Sequence, residues 1–121
     1  MAERYGLTSL ARICSVATRG DSPLVSGLAQ IAASELALKK AGIASHQLAL
    51  AEIHESFAVQ AMACQKALRL PEDIINPLGG GLALGHPMAA SGARIVGSLA
   101  HQLSEKPAKS KGLVSISVGM G

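Results

Sequence analysis

Leu48-Ala49-Leu50-Ala51-Glu52-Ile53 runs without a break into His54-Glu55-Ser56 and then into Phe57-Ala58-Val59-Gln60-Ala61-Met62-Ala63-Cys64. The first six residues are apolar but for Glu52, the pattern of a strand covered on both faces. From there Phe57, Ala61, Cys64 and Leu68 recur at helical spacing, and Pro71 is placed to close that helix. A buried strand that passes through three polar residues into a helix is the start of a parallel α/β unit, because parallel strands need a crossover between them.

Working outward, the same alternation repeats. Residues 10–17 are apolar and rich in small or branched side chains, which predicts a first central strand. After the turn at Gly20-Asp21-Ser22-Pro23, the spacing of Leu28, Ile31, Ala32 and Leu36 predicts a helix, ended by basic Lys39-Lys40 and the stop at Gly42. The glycines in Asn76-Pro77-Leu78-Gly79-Gly80-Gly81 predict a loop. Ile95, Leu99 and Leu103 predict a further helix, with Ser91 as its cap, and a charged linker over 104–111 leads to a last strand at 113–118. The expected fold is α/β: one domain over residues 1–121, a mixed, mostly parallel sheet with flanking helices. Loops leaving the carboxyl ends of such strands gather at one edge, where binding sites form.

Composition narrows the function. Of 121 residues, 16% are charged, against roughly 25% in an ordinary soluble domain. A surface that short of charge predicts a face packed against another protein. No apolar run approaches the roughly 18 residues of a membrane span, and the first residues lack the apolar core of a secretory signal, so an intracellular, cytoplasmic location is expected. The net charge of +3 is dispersed apart from Lys106, Lys109 and Lys111, and only Tyr5 and Phe57 are aromatic, which argues against nucleic-acid binding. Cys14 and Cys64 lack metal-ligand spacing and fall in apolar segments, predicting reduced, buried thiols.

Three chemically suggestive segments sit at strand exits: His54-Glu55-Ser56, Gly85-His86-Pro87 and Ser117-Val118-Gly119. A histidine fixed between glycine and proline on a loop opening a helix suits a general base, whereas an isolated histidine is more often structural. With reference values of about 6.5 for imidazole and about 8.5 for a thiol, such a ring can take a thiol's proton. His54 and Glu55 read either as site groups or as a polar strand exit capping the next helix. A metal site from His54, Glu55 and His86 lacks recognised ligand spacing. Gly79 to Gly81 fit neither dinucleotide nor P-loop patterns. Gly119 and Gly121 can present backbone N–H groups to an oxyanion.

Three stretches in order carry a resemblance: His54-Glu55-Ser56-Phe57-Ala58; Asn76-Pro77-Leu78-Gly79-Gly80 with Leu84-Gly85-His86-Pro87-Met88-Ala89-Ala90-Ser91-Gly92-Ala93-Arg94; and Ser117-Val118-Gly119-Met120-Gly121. Together they resemble the C-terminal motifs of the thiolases, over nearly the whole chain. The resemblance implies thiolase-type acyl transfer between a 3-ketoacyl-CoA or acyl-CoA and CoA. CoA and its thioesters would be substrates, and no covalently bound cofactor or metal is implied. By position, His86 would activate the nucleophilic cysteine and, with a water held from His54, stabilise the thioester oxyanion; the Gly119 N–H would join a second oxyanion hole. Most thiolases have Asn at the His54 position and Gly at the Ala89 position. Both alternatives here are similar to β-subunits of trifunctional fatty-acid oxidation complexes.

The chain also departs from that pattern. Ser117 stands where the family has a catalytic cysteine, and a hydroxyl is too weak an acid to shuttle protons as a thiol does. Neither Cys14 nor Cys64 lies in a motif loop, so the nucleophile has no counterpart, and Ser26-Gly27-Leu28-Ala29-Gln30 lacks the family's usual glycine pairs. The chain stops at Gly121, where a thiolase continues into a final edge strand. The expectation is a partial site, inactive alone, that packs against a thiolase N-terminal half or in a homo-oligomer. The alternative is a non-catalytic acyl-CoA-binding or scaffolding module.

Overall fold

The computed structural model describes residues 2–25 and 27–118. Their main elements are helix α1 (Ala29–Ala41), strand β1 (Leu50–Ile53), helix α2 (Ala58–Leu68), a short helix α3 (Gly81–Leu84), helix α4 (Met88–Ser104) and strand β2 (Gly112–Ser115). β1 and β2 pair in parallel, with Leu50 opposite Gly112 and Ile53 opposite Ser115. The ladder extends one bond at each end, from Ala49 N–H to the Lys111 carbonyl and from His54 N–H to the Ser115 carbonyl, both 2.8 Å.

Alternation along the strands sorts the side chains into two layers. Ala51, Ile53 and Leu113 face α1 and α2 and form a core with Leu38, Leu48, Cys64, Leu68 and Leu70. Leu50, Glu52 and Gly112 turn toward α4, whose Ile95 and Leu99 are buried there. Gly112 has a packing reason to be glycine, since a Cβ would lie 2.8 Å from a Leu99 methyl group. All four β1 residues are buried, as a near-continuous apolar run predicts.

The second edge of β1 is closed by one residue. Asn76 donates its backbone N–H to the Ala51 carbonyl at 2.9 Å. Its carboxamide then imitates a strand: Oδ1 accepts from the Ile53 N–H at 2.8 Å, and Nδ2 donates to the Ile53 carbonyl at 2.9 Å. Asn76 holds φ at +44°, a left-handed value that asparagine tolerates better than most residues.

Several expectations need correction. Residues 10–17 form no strand: Ile13 and Val16 are 75% and 71% exposed. Both edges of β1 are already taken, and the segment instead meets the end of α1, where the Ser15 hydroxyl donates to the Ala37 carbonyl and Lys40 to that of Val16. An apolar sequence does not supply a ladder partner. Cys14, on that segment, is exposed rather than buried, while Cys64 is buried. Ser91 is no cap, because α4 starts three residues earlier, straight after Pro87. His54-Glu55-Ser56 does not cap α2 either, whose cap position is Phe57. Part of the glycine-rich stretch enters α3. The last strand ends at Ser115 rather than 118.

Glu52 is the one charged residue within β1, only 2% exposed, and its Oε1 accepts from Gln102 Nε2 at 2.7 Å. Burial pushes its carboxyl above the ordinary 4.5, outweighing the hydrogen bond from Gln102 and the nearby Arg94 charge. A raised folded-state value means full stability below the unfolded value and a loss as pH rises through the folded one. Glu52→Gln keeps an acceptor for Gln102. It should raise the melting temperature at about pH 8 and leave it unchanged below the ordinary glutamate range; an equal gain at every pH would refute the charge-burial account. Asn76→Asp replaces the Nδ2 donor with an acceptor facing the Ile53 carbonyl, and should cost about 2 kcal/mol or more in urea denaturation. Acid that protonates the new carboxylate should return part of that loss.

Candidate functional site

β1 ends where its ladder gives out, and His54 is the residue at that point. Its N–H still belongs to the sheet, while its side chain is 3% exposed and sits against His86, ring centroids 4.2 Å apart at 48°. Gln30 of α1 donates to the His54 carbonyl at 3.3 Å, fixing the strand end from the other side. His54 Nδ1 has no protein partner among the described residues.

His86 is brought there by the short segment between α3 and α4, and Glu55 organises the stretch that leads to it. Glu55 Oε1 accepts from Asn76 Nδ2 at 2.8 Å, and Oε2 from the Leu82 N–H in α3 at 3.0 Å. Gly80 must come close for this to happen: a Cβ there would overlap the Glu55 carboxylate and lie 2.6 Å from Asn76 Nδ2. Gly79 turns the chain with φ at +90° and Gly85 with φ at +83°, conformations glycine adopts without strain. His86 itself is exposed, and its Nδ1 lies 2.7 Å from the Ser91 hydroxyl.

The exit of β2 joins the same edge. Ser117 Oγ lies 3.0 Å from Ser56 Oγ, so the loop after β2 is tied to the loop after β1. The structure thus brings His54 and His86 into ring contact and pairs Ser117 with the residue two beyond His54. Gly119, with Met120 and Gly121, lies outside the described residues. Sequence reasoning missed Ser56, Asn76, Glu55 as an organising carboxylate, and Ser91 as a histidine partner. The Asn76 role rests on hydrogen bonds spanning 21 and 23 positions, beyond the reach of local pattern; Ser91 had a nearer signal, a hydroxyl five residues from His86.

Electrostatics favour a neutral His54 ring. Burial chiefly pulls His54 below its ordinary 6.5, the charges of His86 and Arg94 add to this, and Glu55 opposes it. Arg94 Nε and Nη2 are buried without a partner among the described residues. Neither cysteine is placed for chemistry here. Cys64 is fully buried, accepts from Gln60 Nε2 at 3.3 Å, and has its thiol pushed up by burial. Cys14 adjoins Ser15, which is bonded at Ala37 of α1, whereas Gln30 of the same helix reaches His54. Seven helical residues separate those anchors by about 10 Å. No group of three or more His, Cys, Asp or Glu side chains able to hold a metal occurs among the described residues, and no described helix is long and apolar enough to cross a membrane.

Residues 7–121 match the family described as the C-terminal domain of thiolase. The chain is 44% identical over 120 residues to an acetyl-CoA acetyltransferase of Paracoccus denitrificans, covering 99% of this chain and 30% of that protein. It is 41% identical over 120 residues to the human peroxisomal 3-ketoacyl-CoA thiolase, covering 99% of this chain and 28% of that one. The crystal structure of the Bacillus anthracis acetyl-CoA acetyltransferase superposes with a TM-score of 0.91 at 38% identity, over 99% of this chain and 30% of that chain. The chain therefore spans under a third of the length of these relatives.

A lowered folded-state value for His54 means that stability is complete above 6.5 and falls as pH drops below it. His54 should titrate below 6.5 when followed by proton NMR, and His86→Ala should move that midpoint upward by removing a like charge. A midpoint indifferent to His86 would count against electrostatic coupling of the two rings.

Proposed function

The chain belongs to the thiolase family, as a C-terminal domain, and from that premise we propose that it carries the imidazole half of an acyl-transfer site. The reading rests on one observation: two imidazoles from separate loops are held 4.2 Å apart where β1 ends. The reaction class is transfer of an acyl group from a 3-ketoacyl-CoA or acyl-CoA to CoA through a cysteine thioester. His86 serves as base toward the thiol. His54, held neutral, helps hold the thioester oxygen, and the Gly119 N–H is assigned to a second oxyanion position. Ser117 occupies the place of an acid/base residue, but its hydroxyl is a poor proton shuttle.

The nucleophile must come from elsewhere, because Cys64 is sealed in the core and Cys14 lies at the far end of α1. A thiolase N-terminal half is the partner this reading requires. Exposed apolar side chains support it: Ile13, Val16, Phe57, Val59, Met62 and Met88 are each more than 65% exposed. Residues 7–22, without a strand of their own and held to α1 at Ser15 and Val16, expose most of their side chains for such a partner. One observation favours a second reading, a non-catalytic acyl-CoA-binding module, namely that Ser117 is paired with another hydroxyl rather than with an acid or base.

The purified chain is expected to show no turnover of acetoacetyl-CoA with CoA. Adding a thiolase N-terminal half that carries the nucleophilic cysteine should give a mixed complex by light scattering, and turnover about 100-fold to 10,000-fold below the same complex with Ser117→Cys. Turnover by the chain alone would overturn the proposal. A complex that binds acyl-CoA yet turns over in neither form would establish the module instead.

A further inference from the structure

Ser91 sits one turn inside α4, wholly buried, with two polar neighbours for its hydroxyl. One is the Pro87 carbonyl four residues back, at 3.3 Å; the other is His86 Nδ1, at 2.7 Å. A serine hydroxyl owns one proton, so only one of these contacts can use it. Donation to the carbonyl of residue i−4 is the usual habit of a serine inside a helix. If the proton went to Nδ1 instead, Oγ and the Pro87 oxygen would face each other at 3.3 Å with no hydrogen between them. The Pro87 carbonyl also receives the N–H groups of Ala90 at 2.7 Å and Ser91 at 2.9 Å, which accounts for the length of the third bond. With the hydroxyl proton on the carbonyl side, the short contact is an Nδ1–H donating to Oγ.

We propose that Ser91 is a positioning residue that selects the Nδ1–H tautomer of His86 and leaves Nε2 as the basic nitrogen. This deepens, and rests on, the reading of His86 as base toward a thiol. The hydrogen bond on one ring nitrogen decides which proton the other carries. Glu55, the carboxylate nearest in sequence to His54, does not orient the base, because both of its oxygens are engaged by Asn76 and Leu82. Ser91 carries the orientation from the first turn of a 17-residue helix, so the tautomer is set by rigid backbone. The proton transfer then needs no rearrangement. The S–H bond of an incoming thiol breaks, its proton forms the Nε2–H bond, and the electron pair stays on sulfur. The ring becomes imidazolium, Nδ1–H goes on donating to Ser91, and Nε2–H faces the thiolate.

The test is the position of the proton, read by long-range proton–nitrogen correlation on the nitrogen-labelled 121-residue chain at a pH where the rings are neutral. The wild-type chain should show His86 predominantly protonated at Nδ1, the form that an unconstrained imidazole disfavours. Ser91→Ala should invert the population toward Nε2–H, and Ser91→Thr, which keeps the hydroxyl, should restore the wild-type pattern. The backbone spectrum reports whether Ser91→Ala folds; if it does not, the wild-type tautomer still decides. A wild-type proton on Nε2, or spectra of the folded alanine variant that superimpose on wild type, overturns the proposal. An intact tautomer pattern with no turnover in the reconstituted complex would instead count against the acyl-transfer reading alone.

Discussion

The edge of β1 is completed by a side chain, and the site depends on that substitution. A two-stranded parallel sheet leaves one edge of each strand unpaired, and burying unpaired N–H and C=O groups is costly. Asn76 meets the cost at Ile53 with both ends of its carboxamide. The second proton of Nδ2 then goes to Glu55, whose other oxygen takes the Leu82 N–H. A single amide therefore couples the last residue of the strand to the loop that delivers His86. Because His54 is the next residue after the one Asn76 pins, the distance between the two imidazoles follows from backbone hydrogen bonding rather than from the rings themselves.

Charge placement around this frame points the same way. The acidic groups near the histidines are each withdrawn from them: Glu52 is turned to the α4 face and bonded to Gln102, and Glu55 is bonded to two N–H donors. On His54, burial and the charges of His86 and Arg94 outweigh the opposing charge of Glu55. Such surroundings keep His54 neutral. A nearby free carboxylate would do the reverse, holding a permanent imidazolium that could no longer accept a proton.

Much of the α/β order is legible in sequence, and the exceptions share a cause. The strand at β1, the helices α1, α2 and α4, and the glycine stop at Gly42 follow from local pattern, since each is decided within one turn or one apolar run. Residues 10–17 have the composition of a strand but not its neighbours, and a ladder is a property of two segments. Ser91 reads as a cap by residue type, yet Pro87 is already compatible with a helix start, so α4 begins earlier and the hydroxyl is released for His86. The motif histidines were legible because three spaced stretches carry a family resemblance. Asn76 and Glu55, though they lie within the same stretches, were not, because their work is tertiary: an amide opposite a strand 23 positions away, and a carboxylate under a glycine that leaves room for it.

Ser117 separates two properties that a catalytic cysteine would combine. On the acyl-transfer reading position is kept, and the Ser117 hydroxyl reaches the loop after β1 through Ser56. Acidity is not, because a hydroxyl donates hydrogen bonds but resists ionisation near neutral pH. On the acyl-transfer reading, steps that need only oriented N–H and imidazole groups survive this exchange, while a step that must protonate or deprotonate the substrate carbon loses its partner. On the same reading, a rate would be limited at the Ser117 hydroxyl rather than at the paired rings of His54 and His86.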